Sequence, residues 1–155
     1  MVSLIIQGPM YSKGKTGVPD PKVAEMDCRK NVDEIVSKYG HLFDHIVLAT
    51  WENDELARKY KNDKIKKLLL KDDFGLKRYK ISRKVNNKER QFYSTLKGCE
   101  HLQSIGYDGY VIKMRTDQIF DLSAARAFIG KMDKEKSQKF FIPFINHCNP
   151  KTIEP

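Results

Sequence analysis

Three ionisable residues alternate at the end of one apolar stretch, residues 110–117, which reads Y-V-I-K-M-R-T-D. They are Lys113, Arg115 and Asp117, and the alternation of side chains along a strand places all three on one face. Charged groups on an interior strand are costly unless they pair with one another or bind a charged ligand. The alternatives are therefore an amphipathic strand with one solvated face, a cluster that neutralises itself, or a ligand site.

Polar residues also follow other apolar runs, and the predicted strand ends carry Gln7-Gly8-Pro9, Thr50-Trp51-Glu52, Asp72-Asp73-Phe74-Gly75 and Arg115-Thr116-Asp117. In a parallel sheet such ends converge on one crevice, where ligands bind. Gln7 suits hydrogen bonding to a base edge, and Asp117 suits a divalent cation that bridges phosphates. Trp51 would stack on a ligand or pack in the core.

Strands alternate with helices in the elements that would position these residues. The patterns predict strands over 2–6, 44–51, 65–71, 110–117 and 140–145, and helices over 53–60, 86–105 and 123–132. A further helix is predicted to begin at Asp20 and Pro21 and to end at Gly40, after an irregular loop over 9–19. This order predicts an α/β fold with a mostly parallel sheet flanked by helices, in which 110–117 is a buried interior strand.

Length and cysteine usage restrict the class of protein. A chain of 155 residues suits a single domain. No apolar run approaches the roughly 20 residues that span a bilayer, and the first ten residues do not resemble a signal peptide, so a cytoplasmic location is expected. Cys28, Cys99 and Cys148 form no C-x-x-C pair, which predicts small core residues in a reducing compartment.

The positive charge is concentrated in one segment. The net charge is +9, and residues 58–90 hold 14 Lys or Arg against 4 Asp or Glu. Such a segment would attract nucleic acid, an anionic membrane surface or a nucleotide diphosphate, or would only be a solvated loop. The chain has no G-x-G-x-x-G, P-loop, G-x-S-x-G or H-E-x-x-H motif, which argues against the ordinary dinucleotide, P-loop, hydrolase and zincin classes.

Five segments together resemble the WavE lipopolysaccharide synthesis family, whose members look like GT-A glycosyltransferases. They are L-I-I-Q-G-P at 4–9, V-L-A-T-W-E at 47–52, K-D-D-F-G at 71–75, N-x-x-R-Q-x-x-S-T-x-x-G at 87–98 and I-K-M-R-T-D at 112–117. The resemblance implies one GT-A-like, Rossmann-like domain over residues 1–155. It also implies binding of a nucleotide-sugar donor and transfer of the sugar to a glycan or lipid-linked acceptor.

The same resemblance implies the site. Arg115 and Asp117 would occupy the catalytic positions, with Asp117 as metal ligand, and the donor would be bound by Gln7, Gly8, Pro9, Thr50, Glu52, Asp73, Arg90, Gln91 and Thr95. The family type usually carries D-x-D where this chain has R-T-D. Either a divalent cation, Mn²⁺ or Mg²⁺, still binds, or the Arg115 guanidinium itself holds phosphate through a bidentate contact.

Two other functions stay open. Only residues 118–155 follow the acidic motif, so either the chain is short for its family or a C-terminal acceptor part is missing. A nucleotide-sugar-binding module without transferase activity fits that shortage. The second alternative is a nucleic-acid-binding domain, in which Tyr60, Phe74 and Tyr79 are interleaved with the basic residues of 58–90.

Overall fold

The computed structural model describes residues 1–16, 22–71 and 87–132. The strands are β1 (Val2–Gln7), β2 (Tyr11–Thr16), β3 (Lys22–Asp27), β4 (Ile46–Trp51), β5 (Lys66–Leu70) and β6 (Tyr110–Arg115). The helices are α1 (Arg29–Tyr39), α2 (Glu55–Lys59), α3 (Asn87–Ser104) and α4 (Leu122–Met132), with a 3-10 turn at Gly40–Leu42. The predicted features at 72–75, 79, 140–145 and Cys148 lie outside the described residues.

Four strands form one parallel sheet in the order β5-β4-β1-β6. All six residues of β1 and of β4 are buried, and such continuous apolar runs are typical of parallel strands covered on both faces. On one face Leu4, Ile6 and Leu48 pack with residues of α1, α2 and α4. On the other face Ile5 and Val47 pack against Leu102 of α3. The predicted Rossmann-like α/β class is confirmed.

The position of β6 corrects one prediction. The sequence predicts a buried interior strand, whereas in the described sheet β6 pairs with β1 alone and lies at an edge. Met114 is its one fully buried residue, and Val111 and Lys113 are exposed. Because an edge strand with a solvated face tolerates charge, the three ionisable groups do not by themselves demand a ligand.

A hairpin replaces the predicted loop and the start of the first helix. Strands β2 and β3 pair antiparallel in a six-residue register, and α1 begins only at Arg29, after Cys28. Asp20 and Pro21, the predicted helix start, lie outside the described residues. The prediction was wrong because pairing partners satisfy the backbone of both strands, and neither segment carries an apolar alternation strong enough to reveal this alone.

Two helix ends agree with the sequence. The α1 helix passes into the 3-10 turn at Gly40, as the glycine predicts. The α3 helix ends in a Schellman motif at Gly106, whose φ is +77°. There the Gly106 N–H donates to the Gln103 carbonyl at 3.0 Å and the Tyr107 N–H to the Leu102 carbonyl at 3.1 Å, so the last carbonyls of α3 are satisfied.

The cysteines divide between core and surface. Cys28 is fully buried, as predicted, but Cys99 is exposed and that prediction was wrong. Cys99 follows Gly98, the residue that faces the sheet, so its own side chain points away from the core. Within the described ranges, no helix combines the length and the apolar character needed to cross a bilayer.

Candidate site at the carboxyl edge of the sheet

Three of the four predicted strand ends meet at one edge of the sheet. Gln7 at the end of β1 is in register with Ala49 of β4 and with Arg115 of β6. The structure therefore brings together the polar ends at 7–9, 50–52 and 115–117. The fourth end, with Asp73, lies outside the described residues.

Thr116 ties the end of β6 to the loop after β1. Its N–H donates to the Gln7 carbonyl at 3.0 Å, and its buried Oγ1 donates to the Pro9 carbonyl at 2.6 Å. Gly8 between them has φ +126°, and a Cβ there would lie 2.9 Å from Thr116 Oγ1. Gly8 and Pro9 thus shape the edge, because only glycine adopts this backbone beside the threonine.

Asp54 fixes the other side of the same loop. Its Oδ2 accepts from the Met10 N–H at 2.7 Å and the Tyr11 N–H at 3.3 Å, while its Oδ1 accepts from Ala57 N–H and caps α2. One carboxylate therefore joins the start of the hairpin to the helix after β4. The edge is held on both sides by side-chain bonds that sequence reasoning missed.

The Gln7 side chain is buried and incompletely bonded. It is 2% exposed, its Oε1 accepts from Ser94 Oγ at 2.9 Å, and its Nε2 has no partner in the part of the chain that the structure describes. The Ser94 hydroxyl has a single hydrogen, and the carbonyl oxygens of Arg90 (2.8 Å) and Gln91 (3.2 Å) are also within its reach. In either orientation of the amide, one polar group of Gln7 has no partner among the described residues.

Thr50 presents a second buried polar group. Its side chain is fully buried and its Oγ1 has no partner in the described part of the chain. Trp51 is also buried, which agrees with its interpretation as a core residue. Glu52 is exposed at the edge, and its N–H donates to the Leu70 carbonyl at 2.9 Å.

Arg115 and Asp117 form a bidentate ion pair. Arg115 Nε donates to Asp117 Oδ1 at 2.8 Å and Nη2 to Oδ2 at 2.5 Å. The cluster thus neutralises itself in part, yet among the described residues Nη1 of this guanidinium, whose side chain is 37% exposed, is left for another acceptor. Lys113 is more than a third exposed by surface area, but partial burial lowers its pKa, the Arg115 charge adds to that, and Asp117 opposes it.

The first turns of α3 border the same edge. Arg90 lies in the first turn, near the positive end of the helix. Thr95 Oγ1 donates to the Gln91 carbonyl at 2.7 Å, and the adjacent Ser94 is the residue that reaches Gln7. A Cβ on Gly98 would lie 2.8 Å from the Ile5 side chain, so Gly98 serves close helix packing. Ser94 belongs to the family pattern at 87–98 and Thr116 to the R-T-D motif, so the sequence contained a signal for both residues, although it predicted no site role for either.

The described donors at Asp117 do not fit a divalent cation. Both of its carboxylate oxygens accept from Arg115. Among the described residues no three His, Cys, Asp or Glu side chains lie together as a metal site, whereas a hard cation takes about six oxygen ligands.

Two residues of the predicted nucleic-acid surface belong to the fold instead. Tyr60 is buried and its hydroxyl donates to Asp33 Oδ1 at 2.7 Å; burial, more than this bond, raises its pKa. Lys67 Nζ donates to the carbonyls of Ala57, Arg58 and Tyr60 at 2.8, 3.0 and 2.8 Å. A base cannot stack on Tyr60 in this arrangement.

The fold and the edge define a Rossmann-like α/β domain with polar residues gathered at the carboxyl ends of its parallel strands. Residues 2–142 match the family model described as WavE lipopolysaccharide synthesis. The chain belongs to this family, and membership points to a role in lipopolysaccharide biosynthesis with sugar-related substrates. No curated protein and no solved structure matches the chain.

Proposed function

We propose that the carboxyl edge binds a nucleotide-sugar donor and that the protein transfers the sugar to a glycan or lipid-linked acceptor, as a GT-A-like glycosyltransferase. Family membership supports sugar chemistry. The parallel order of β4, β1 and β6 supports the location, because ligands of open parallel sheets bind where the strands end.

The Gln7 amide is the observation that carries the proposal. A buried polar group without a partner costs about 1–3 kcal/mol, and such groups in native proteins call for a functional or structural explanation. Gln7 lies in register with Arg115, so its free polar group and a guanidinium end share the edge. A base or ribose would supply the partner that Gln7 lacks among the described residues, and a diphosphate would supply the acceptor for the guanidinium.

The charges suit departure of a nucleoside diphosphate. In the transfer, the bond between the anomeric carbon and a phosphate oxygen breaks and the diphosphate keeps the electron pair. The acceptor oxygen bonds to that carbon and gives its proton to the departing diphosphate, whose freed oxygen is basic. Arg115 and Arg90 would stabilise the growing phosphate charge, and Asp117 would orient Arg115 through its two hydrogen bonds.

A ligand screen tests this function. Nucleoside diphosphates and their sugars are screened by thermal unfolding, with and without manganese, and a donor at a hundred times its Kd is expected to stabilise by about 2.7 kcal/mol. Arg115→Ala should then weaken donor binding at least tenfold. Arg126→Ala is the control, since that charge acts on Tyr107 at the other end of β6. Equal affinities of the two variants would refute the site.

A further inference from the structure

A cavity lies at the opposite, amino edge of the sheet. Its volume is about 410 Å³, within the range of about 300–1,000 Å³ that is typical of small-molecule pockets. It is lined by residues that precede or begin β4 and β5 and by the end of α3. Six-residue strands at about 3.3 Å per residue separate it from Gln7 and Arg115, so it is distinct from the proposed donor crevice.

The cavity has an apolar wall. Phe43 and Ile46 are buried, and Ile65 is partly buried against the same core cluster. Ile105 also lines the cavity and is 49% exposed, a large apolar side chain left in solvent. An apolar part of a ligand would cover it.

Two lysines also line the cavity. Lys64 and Lys66 line the cavity, and within the described residues neither ammonium makes an ion pair or hydrogen bond. Lys67 beside them has three carbonyl partners, and Lys59 has a carboxylate partner. Within the described residues, Lys64 and Lys66 thus differ from Lys59 and Lys67 in keeping their ammoniums available to a ligand.

Two carboxylates, Asp44 and Asp63, also line the cavity and equal the two ammoniums in number. Asp44 Oδ2 accepts from the Val2 N–H at 2.7 Å, which leaves Asp63 as the carboxylate without such a bond. The Schellman motif satisfies the carbonyls of Leu102 and Gln103, which reduces the negative end of α3. His101 and His45 add ring N–H donors to the lining.

We propose that this cavity binds an amphiphilic phosphate: the phosphate on Lys64 and Lys66, with His101 as a further donor, and the apolar body against Phe43 and Ile105. The cavity, its free ammoniums and its exposed isoleucine carry this inference. The described lining does not form a cation site. The ligand chemistry is shared by a lipid headgroup and by a free alkyl phosphate, and the experiment separates the two.

Calorimetric titration of the full chain with inorganic phosphate, butyl phosphate and octyl phosphate tests the proposal. Each added methylene is expected to tighten binding about two- to fourfold. Lys64→Ala with Lys66→Ala should weaken octyl phosphate binding at least tenfold. The matched control is Lys30→Ala with Lys61→Ala, which removes the same charge from exposed lysines outside the lining and should change affinity less than twofold.

Two further measurements make the test decisive. Ile105→Asn should reduce the chain-length dependence and leave inorganic phosphate binding unchanged. Vesicles of phosphatidylcholine with phosphatidic acid should bind the parent, and not the Lys64/Lys66 variant, if the source is a lipid. If octyl phosphate binds and the vesicles do not, the ligand is a free alkyl phosphate and not a lipid headgroup.

Two results would overturn the proposal. In the first, octyl phosphate binds no more tightly than inorganic phosphate. In the second, the Lys64/Lys66 and Lys30/Lys61 variants lose the same octyl phosphate affinity. Such a result would indicate diffuse charge attraction of the kind that also binds polynucleotide. Nucleotide-sugar affinity should be unchanged in the Lys64/Lys66 variant, so failure here is distinguishable from failure of the proposed donor site.

Discussion

Gln7 combines a structural cost with a proposed ligand role, and one substitution separates them. Gln7→Leu removes the buried amide and keeps an apolar group of similar size. The free energy of unfolding is expected to stay equal or rise, because a polar group without a partner is lost. Donor affinity is expected to fall about three- to tenfold, because one hydrogen bond to the ligand is lost.

Chemical denaturation and calorimetric titration measure the two effects. Gln103→Leu, on the exposed side of α3, is the control and should leave donor affinity unchanged. If Gln7→Leu unfolds more readily and binds donor like the parent, the amide serves the fold alone and the proposed role is wrong.

Asp117→Asn distinguishes the functions that the sequence left open. If Asp117 orients Arg115, donor binding weakens by the same factor in manganese and in chelator. If it binds a cation that bridges phosphates, the loss occurs in manganese alone. If the protein instead binds polynucleotide, removal of a carboxylate leaves that affinity unchanged or raises it. We expect equal weakening in manganese and in chelator. An Asp117→Asn variant that binds donor like the parent in both buffers would contradict the proposed site.

The residues that the sequence could predict are those at the ends of recognisable strands. Gln7, Thr50 and Arg115 follow apolar runs, and a parallel sheet brings such ends together. Ser94 and Thr116 bond to partners 87 and 107 residues away. Their roles depend on which side of α3 packs against the sheet and on the conformation of the loop after β6. No local sequence pattern determines either.

At the scale of elements, the contact of α3 with β1 positions Ser94 on Gln7. A Cβ at Gly98 would lie 2.8 and 2.9 Å from two carbons of Ile5, so Gly98→Ala overpacks this contact. A loss of about 1–3 kcal/mol in the free energy of unfolding is expected. Ile5→Val, which removes the Cδ1 atom, should recover part of that loss in the double variant.

Urea denaturation of the two single variants and the double variant measures the coupling. Gly130→Ala on α4 is the control, because the nearest atom to a Cβ there is an arginine nitrogen at 3.9 Å. Losses that simply add between Gly98→Ala and Ile5→Val would contradict the packing account.

The junction of β3 and α1 makes stability depend on acid. Hydrogen bonds from the Arg29 side chain lower the pKa of Asp27 to about 2, against partial burial. A lowered folded-state pKa contributes stability that is present above the unfolded value of 3.8 and lost as pH falls towards 2. The contribution is modest, because both side chains are more than a third exposed.

Unfolding measured from pH 6 to pH 2 checks this. Asp27→Asn should flatten the fall in stability between about pH 4 and pH 2, and Asp63→Asn, which makes no ion pair in the described residues, should not. An unchanged slope in Asp27→Asn would show that the pair contributes nothing to acid sensitivity.

Elements with strong apolar patterns were predictable, and those stabilised by pairing were not. Strands β1 and β4 and the ends of α1 and α3 follow from apolar runs and from glycines. The β2–β3 hairpin was missed because its backbone bonds, rather than its composition, define it. The edge position of β6 depends on the strand order, which a single sequence pattern does not encode.

At the scale of the whole molecule, the sheet separates two chemistries. Its carboxyl edge carries Gln7, Arg115 and the first turns of α3, and its amino edge carries the cavity with Lys64 and Lys66. Among the described basic residues, Lys64 and Lys66 therefore lie at the opposite edge of the sheet from the proposed donor site.

Amide hydrogen exchange of the full chain, with and without a nucleotide-sugar at saturating concentration, tests whether the donor binds at the carboxyl edge of the sheet. We expect the nucleotide-sugar to slow exchange at 7–11, 90–96 and 115–118, and to leave exchange at 61–66 and 101–107 unchanged. Slower exchange confined to 61–66 and 101–107, with the carboxyl edge unaffected, would contradict this expectation.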